Sequence, residues 1–163
     1  MRSKNFEDKI INLADFAIDA YQDSINLVLT TGAFDMLHPG HVRYLWRASE
    51  QGDYLIVGID SDKRVRSAKG EHRPFFHEKD RSIVVAGLGF VDLVCVFDNM
   101  KELLDTVLPT TLVVSPTSTE DASFDRKMYA KNRGIKIVEI SEQAKMHTSD
   151  FAKQIRYKIL ESD

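Results

Sequence analysis

The chain has 163 residues, with 22 Lys and Arg against 25 Asp and Glu, a formal net charge of −3. This length predicts one compact domain over residues 1–163, and the slight acidic excess disfavours a module that holds nucleic acid through a broad basic surface. The single cysteine, Cys95, excludes an intramolecular disulfide, and no apolar run has the roughly 20 residues that a membrane helix needs. We therefore expect a cytoplasmic protein that has neither a membrane nor a nucleic acid as partner.

Short apolar segments alternate with segments of helical periodicity along the chain. An amphipathic stripe over residues 6–21 predicts a leading helix, within an N-terminal helical extension 1–24 that precedes a catalytic core 25–155. Strands are predicted at 26–31, 54–60, 91–97, 111–115 and 135–140, and helices at 39–51, 78–88, 101–108 and 124–132, with a last helix after Ser149. Near-continuous apolar strands joined by helices are typical of a parallel sheet covered on both faces. The pattern predicts a Rossmann-like, doubly wound α/β sandwich with a five-stranded parallel sheet.

The loop after the first long strand carries the strongest chemical signal. In doubly wound sheets ligands bind beyond the carboxyl ends of the strands, and here residues 30–41 read TTGAFDMLHPGH. Pro39 favours the start of a helix, whose N-terminus attracts phosphate. His38 and His41 are three positions apart and lie on one side of a helical turn, with Gly40 leaving room between them. The two imidazoles can donate to phosphate oxygens in a transfer reaction, or they can simply cap and pack; a metal site is disfavoured because no acidic or cysteine ligand has a recognised spacing beside them.

This loop resembles the first signature of the cytidylyltransferase-like nucleotidyltransferases, Gly-x-Phe-Asp followed by His-x-Gly-His. The resemblance continues through GDYLIVG at 52–58, KGEHRP at 69–74, EKDR at 78–81 and Val91-Asp92. The Lys-Gly-x-x-Arg-Pro element is most similar to the adenylyltransferase domain of ADP-heptose synthase, with glycerol-3-phosphate cytidylyltransferase and archaeal FAD synthetase close behind.

The resemblance implies a reaction. A nucleoside monophosphate would pass from a nucleoside triphosphate, with ATP favoured, to a phosphorylated small molecule such as heptose 1-phosphate, and pyrophosphate would leave. Mg²⁺ would be bound with the triphosphate. A CTP-dependent glycerol-3-phosphate cytidylyltransferase and an FAD synthetase are alternatives, as is a nucleotide-binding regulatory module without turnover.

The resemblance also implies roles for individual residues. His38, His41 and Lys69 would be catalytic, with Lys69 reaching the triphosphate from a mobile loop. Asp60 and Arg81 would contact the second substrate. The nucleotide would be bound by Thr31, Gly32, Ala33, Phe34, Gly40, Arg81, Ser115, Thr148 and Ser149.

Plainer interpretations stand beside these roles. Lys69 could be a solvated lysine in a charged loop, and Arg81 could form a surface ion pair with Glu78 or Asp80. Asp60 could cap the turn that follows its strand. The residues alone do not decide between the two sets of interpretations.

Two segments depart from the family's pattern. Residues 115–119, SPTST, replace a Lys-Gly-x-Asp-type segment that helps to hold the nucleotide, and His147 stands in place of a serine. These departures leave the base preference and the acceptor open, and they motivate the regulatory alternative. Related enzymes are often dimers, so a homodimer is compatible with the resemblance, although no segment identifies an interface.

Overall fold

A parallel sheet is the framework of the computed structural model, which describes residues 5–16, 25–116 and 125–141. Within these residues the sheet has six strands: β1 Ile10–Ile11, β2 Leu27–Gly32, β3 Tyr54–Asp60, β4 Leu93–Phe97, β5 Thr111–Val114 and β6 Lys136–Glu139. The helices of the described residues are α1 Pro39–Ser49, α2 Asp62–Lys69, α3 Glu78–Ala86, α4 Met100–Val107 and α5 Arg126–Asn132. Every neighbouring pair of strands is parallel, in the order β1-β4-β3-β2-β5-β6.

The two faces of the sheet are buried by different helices. Alternate residues of a strand lie on opposite faces, so Val28 and Val57 pack in the apolar cluster with α1 and α3, whereas Leu29 and Ile56 pack in the cluster with α4 and α5. Strands that are buried on both sides read as continuous apolar runs, which is the pattern that the sequence shows. The predicted doubly wound α/β sandwich is confirmed.

The sixth strand comes from a segment for which a helix was predicted. Over residues 6–16 that prediction is wrong: 3-10 turns at Phe6–Lys9 and Leu13–Asp15 flank β1, which pairs with β4. The side chain of an asparagine starts each turn by accepting a backbone N–H, and the Ile10–Ile11 pair suits a sheet edge. Residues 17–21 of the predicted helix lie outside the described residues.

Helix α2 is an element that the sequence analysis missed. Its residues were interpreted as a mobile charged loop, because seven of its eight side chains are charged, small or polar and no apolar stripe marks it. The hydroxyl of Ser61 accepts a hydrogen bond from the N–H of Arg64 at 3.2 Å and starts the helix, while Val65 anchors it in the core. The helix ends at Lys69 and is followed by Gly70, whose φ of 95° ordinary side chains avoid.

The direction of winding reverses between β2 and β5. From β2 the chain proceeds to β3 and β4 on one side, and then returns to place β5 and β6 on the other side. Ligands of open parallel sheets bind beyond the carboxyl ends of the strands at such a reversal, which is here the crevice above β2 and β5. In the part of the chain that the structure describes, no helix has the length and apolar character to cross a membrane.

Candidate active site

The two histidines of the sequence motif meet at the start of α1. The Nδ1 atom of His38 accepts a hydrogen bond from the backbone N–H of Gly40 at 3.1 Å and so caps the helix. Because Nδ1 accepts, the neutral ring carries its proton on Nε2, where it acts as a donor. The ring of His41 stacks on that of His38 with 3.8 Å between centroids, and the edge of the Phe34 ring lies 5.4 Å from His41. The fold thus brings both predicted histidines together at a helix N-terminus beside the crevice.

The loop before α1 has an unusual backbone. Phe34 and Met36 have φ values of 46° and 56°, in the left-handed region, although neither is a glycine. The Phe34 ring is buried close to Gly32, where an added Cβ would lie 3.0 Å from the ring. Gly32 is therefore needed so that the ring can fold back over the end of β2 and contact His41.

A buried carboxylate fastens this loop to another one. Asp35 is 2% exposed and accepts hydrogen bonds from Arg73 Nη1 at 2.6 Å and from the backbone N–H groups of Phe75 and Phe76 at 3.0 and 3.2 Å. The segment between α2 and α3 is thereby attached to the segment between β2 and α1. The aspartate belongs to the quoted motif, but its role was not predicted, because its partners lie about forty positions further along the chain.

Arg81 has a structural role that the sequence analysis did not predict. It is 2% exposed, and its Nε donates to the carbonyl of Phe76 at 3.0 Å, its Nη1 to the carbonyl of Ala33, and its Nη2 to the carbonyl of Asp60 at 2.7 Å. A second bond from Nη2, at 2.9 Å, reaches the carboxylate of Asp62. Because four of its five N–H groups are used inside the protein, this guanidinium positions three loops; its contact with a phosphate stays a prediction.

The N-termini of α2 and α3 are tied to each other through Asp62 and Glu78. Glu78 Oε2 accepts from the N–H of Asp62 at 2.7 Å, while the Asp62 carboxylate pairs with Arg81 and, at 2.9 Å, with His77 Nδ1. Burial raises the pKa of Asp62, but the hydrogen bonds from His77 and Arg81 and the charge of Arg81 outweigh it, so the pKa lies below its ordinary value. The surface ion pair of Arg81 with Glu78 or Asp80, the plainer alternative, is replaced by this pair with Asp62.

Asp60 and Lys69 lie at the two ends of the α2 region. The carboxylate of Asp60, at the end of β3, pairs with Arg64 Nε at 3.0 Å across one helical turn. Lys69 is exposed and is the last residue of α2. The prediction that it lies in a loop is therefore wrong. Lys69 nevertheless stands directly before the segment that Asp35 holds.

The crevice between β2 and β5 has a buried arginine that the sequence analysis did not single out. Arg126 is 7% exposed, and its Nη1 donates to Thr31 Oγ1 at 3.5 Å. Thr31 is the last residue but one of β2, directly before Gly32, and Ser115 follows β5; both are buried. Arg126 was missed because 95 positions separate it from Thr31 and its segment was predicted only as a helix.

Three residues of the predicted site have no described position. Thr148 and Ser149, predicted to bind the nucleotide, and His147, the departure beside them, lie outside the described residues. The same holds for residues 117–119 of the other departure, the segment SPTST at 115–119.

An open cavity of about 460 Å³ adjoins the histidine pair. It is lined by Leu37, His38, Pro39, Val42 and Arg43. Within residues 5–16, 25–116 and 125–141, no three His, Cys, Asp or Glu side chains form a group that could hold a metal ion. Burial raises the pKa of the Cys95 thiol to about 12, so this residue is a core side chain and not a nucleophile.

Comparisons with known proteins place the chain in a family. The family model described as Cytidylyltransferase-like matches residues 29–162. The bifunctional protein HldE of Campylobacter concisus is 44% identical over 112 residues, which are 67% of this chain and 24% of that protein. The bifunctional protein HldE of Wolinella succinogenes is 49% identical over 89 residues, 53% of this chain and 19% of that protein. The chain spans about a quarter of the length of the curated relatives it matches.

Solved structures share the fold. A lipopolysaccharide core biosynthesis protein from Thermoplasma volcanium has a TM-score of 0.65 at 29% identity and covers 74% of this chain and 100% of its own. A pantoate-beta-alanine ligase from Francisella tularensis has a TM-score of 0.57 at 13% identity, covers 89% of this chain and 75% of its own, and is alike in fold alone.

Proposed function

We propose, because the chain belongs to the cytidylyltransferase-like family of nucleotidyltransferases, that it transfers AMP from ATP to a sugar phosphate such as heptose 1-phosphate. The family membership confirms the resemblance that the motifs indicated and the nucleotidyltransferase class of the enzyme. The single observation that carries the reaction is the stacked pair of His38 and His41 at the N-terminus of α1, beside the reversal of the sheet. The identity to the HldE proteins favours ATP and a sugar phosphate over the other substrates of this family.

The chemistry needs positioning and charge stabilisation and no enzyme nucleophile. An oxygen of the acceptor phosphate attacks the α-phosphorus of ATP in line; the new O–P bond forms while the bond to the bridging oxygen breaks, and pyrophosphate carries away the electron pair. The acceptor phosphate is already ionised at neutral pH, so no general base is required.

The chain's own donors are placed to stabilise the developing charge. His38 donates from Nε2, since its Nδ1 accepts a hydrogen bond from the N–H of Gly40. The ring of His41 stacks on the ring of His38. The N-terminus of α1, with 11 residues, adds the positive end of its dipole. Lys69 would add a further cation from the end of α2. Mg²⁺ bound with the triphosphate supplies charge neutralisation.

The remaining predicted contacts are part of the proposal. The backbone of 31–34 and Gly40 would line the nucleotide pocket together with Ser115, and Thr148 and Ser149 would donate to its phosphates. Asp60 stays a predicted acceptor contact. A homodimer and a cytoplasmic location also stay predictions; light scattering of the purified chain tests the first, and cell fractionation the second.

The test is pyrophosphate release from a matrix of substrates. ATP and CTP are each combined with heptose 1-phosphate, other sugar phosphates, glycerol 3-phosphate and FMN. We expect the highest turnover with ATP and a sugar phosphate, and a loss of about 100- to 1,000-fold in kcat for His41→Ala, the size found when one donor to a transition-state oxyanion is removed. His72→Ala, in which an exposed histidine outside the proposed machinery is removed, is the matched control and keeps wild-type turnover.

Two other outcomes would replace the proposal. CTP with glycerol 3-phosphate, or ATP with FMN, as the preferred pair would assign the reaction to one of the alternatives. Tight nucleotide binding without pyrophosphate release from any pair would support the regulatory module, and a thermal-shift comparison of ATP with CTP identifies the nucleotide in that case.

A further inference from the structure

Three charged side chains of the described residues are buried: Asp35, Arg81 and Arg126. All three lie at the carboxyl end of the sheet, and the first two hold loops through the hydrogen bonds given above. Arg126 belongs to a different element, α5. Its guanidinium contacts Thr31, at the end of β2, from the first residue of α5.

The place of Arg126 is the crevice where the winding of the sheet reverses. α5 follows β5 in the chain and packs on the face of the sheet opposite α1, since Ala130 of α5 and Leu45 of α1 belong to different apolar clusters. A nucleotide seated over the ends of β2 and β5 would therefore have the histidine pair on one side and Arg126 on the other.

A buried guanidinium is well suited to a polyanion. Removing a permanent charge from water is costly, and the same low dielectric strengthens its attraction to a phosphate group. The residues that directly follow β5, Ser115 and Pro116, carry no charge, whereas Arg126 brings a buried cation to this side of the crevice. Arginine also presents a planar set of donors that matches phosphate oxygens.

We propose that Arg126 contacts the polyphosphate of the bound nucleoside triphosphate from the β5 side of the crevice. The inference rests on the proposed function, because it takes the nucleotide to lie over β2 and β5.

Arg133 provides a matched control at the other end of the same helix. Its guanidinium pairs with Asp105 at 2.8 Å, lies 3.9 Å above the Tyr129 ring and is 39% exposed. Arg133→Gln therefore removes an arginine that is close to Arg126 in the chain but whose guanidinium pairs with Asp105, away from the crevice.

The experiment compares binding of ATP and of adenosine, by calorimetry, to the wild-type chain, Arg126→Gln and Arg133→Gln. We expect Arg126→Gln to weaken ATP binding about 10- to 100-fold, the effect of losing a charged hydrogen bond, and to change adenosine binding less than twofold. Arg133→Gln should bind both as the wild type does. Unchanged ATP affinity in Arg126→Gln would overturn the proposal, and so would an equal loss of ATP and adenosine affinity, because the contact would then be with the nucleoside or purely structural.

A second variant decides the question if Arg126→Gln does not fold. Arg126→Lys keeps the charge but loses the fork of donors, and a 3- to 10-fold weaker ATP affinity with normal adenosine affinity is expected. Wild-type ATP affinity in Arg126→Lys would count against the proposal.

Failure of this inference can be told from failure of the proposed function. A wild-type chain that binds ATP without releasing pyrophosphate removes the proposed reaction, and the binding comparison still decides the role of Arg126. A chain that turns over while Arg126→Gln binds ATP normally removes the role of Arg126 alone. If the wild type binds no nucleotide, both proposals are wrong.

Discussion

Asp35 and Arg73, 38 positions apart in the chain, form an ion pair between a buried carboxylate and a half-buried guanidinium, with 2.6 Å between Oδ2 and Nη1. The same carboxylate accepts backbone N–H groups of Phe75 and Phe76. The loop that follows α2 is consequently held against the loop that precedes α1. The two loops that flank the proposed reaction centre therefore form one unit, and their stability and their function should change together.

Asp35→Asn tests this coupling. The substitution keeps the shape of the side chain and removes the charge, which leaves the half-buried Arg73 guanidinium without its counter-ion. We expect the free energy of unfolding to fall by about 2 to 3 kcal/mol, the effect of losing charged hydrogen bonds to a buried group. Urea denaturation measures it, and Asp15→Asn, at an exposed aspartate, is the control that should stay near wild type. Equal midpoints for Asp35→Asn and the wild type would show that the pair does not hold the loops.

Arg81→Lys separates the observed role of Arg81 from the predicted one. Lysine keeps the charge but cannot reach the carbonyls of Ala33, Phe76 and Asp60 at once, so buried acceptors lose their donors. A loss of about 2 to 4 kcal/mol in unfolding free energy is expected, since each unsatisfied buried group costs about 1 to 3 kcal/mol. Urea denaturation beside ATP titration makes the comparison. A variant of wild-type stability with weaker ATP binding alone would restore the phosphate-binding interpretation.

The histidines and Arg81 illustrate what could be predicted from the sequence and what could not. His38 and His41 are three positions apart at the start of a helix, so local geometry alone brings their rings together. Arg81 also stands at a helix start, but its role depends on which carbonyls the loops at 33 and 76 turn toward it. A guanidinium suits a phosphate and a set of carbonyls equally well, and sequence spacing cannot distinguish them.

The edge of the sheet shows the same limit. The leading segment has apolar residues at helical spacing, yet Ile10 and Ile11 pair with Val94 and Cys95 of β4. Whether a short apolar pair forms part of a helix or the edge of a sheet depends on an open strand edge elsewhere in the chain. By contrast, the continuous apolar runs of β2, β3 and β4 could be predicted, because strands buried on both faces have no polar side.

The lowered pKa of Asp62 predicts a specific pH dependence. A carboxylate whose pKa is lower in the folded than in the unfolded chain stabilises the fold at pH values above its ordinary value of 3.8, and this contribution is lost as the pH falls through the lowered folded value. We expect the stability difference between wild type and Asp62→Asn to be constant near neutral pH and to shrink below about pH 4. Urea midpoints of both proteins between pH 7 and about pH 3 measure it. A difference that stays constant over the whole range would mean that the pairs with His77 and Arg81 do not shift this group.

Gly32 and Gly89 offer the sharpest comparison of two like substitutions. A Cβ at Gly32 would lie 3.0 Å from the Phe34 ring, whereas a Cβ at Gly89 would meet nothing within 4 Å. The Phe34 ring cannot easily move aside, because its left-handed backbone and its burial beside His41 fix it. Gly32→Ala is expected to lower the unfolding free energy by about 1 to 3 kcal/mol, the usual effect of overpacking, while Gly89→Ala stays within about 0.5 kcal/mol of wild type.

Thermal unfolding of the two variants measures the difference in stability. Pyrophosphate release should fall in Gly32→Ala alone, because a displaced Phe34 ring no longer supports His41. If Gly32→Ala were as stable and as active as Gly89→Ala, the contact between Phe34 and His41 would have no part in holding the histidine pair.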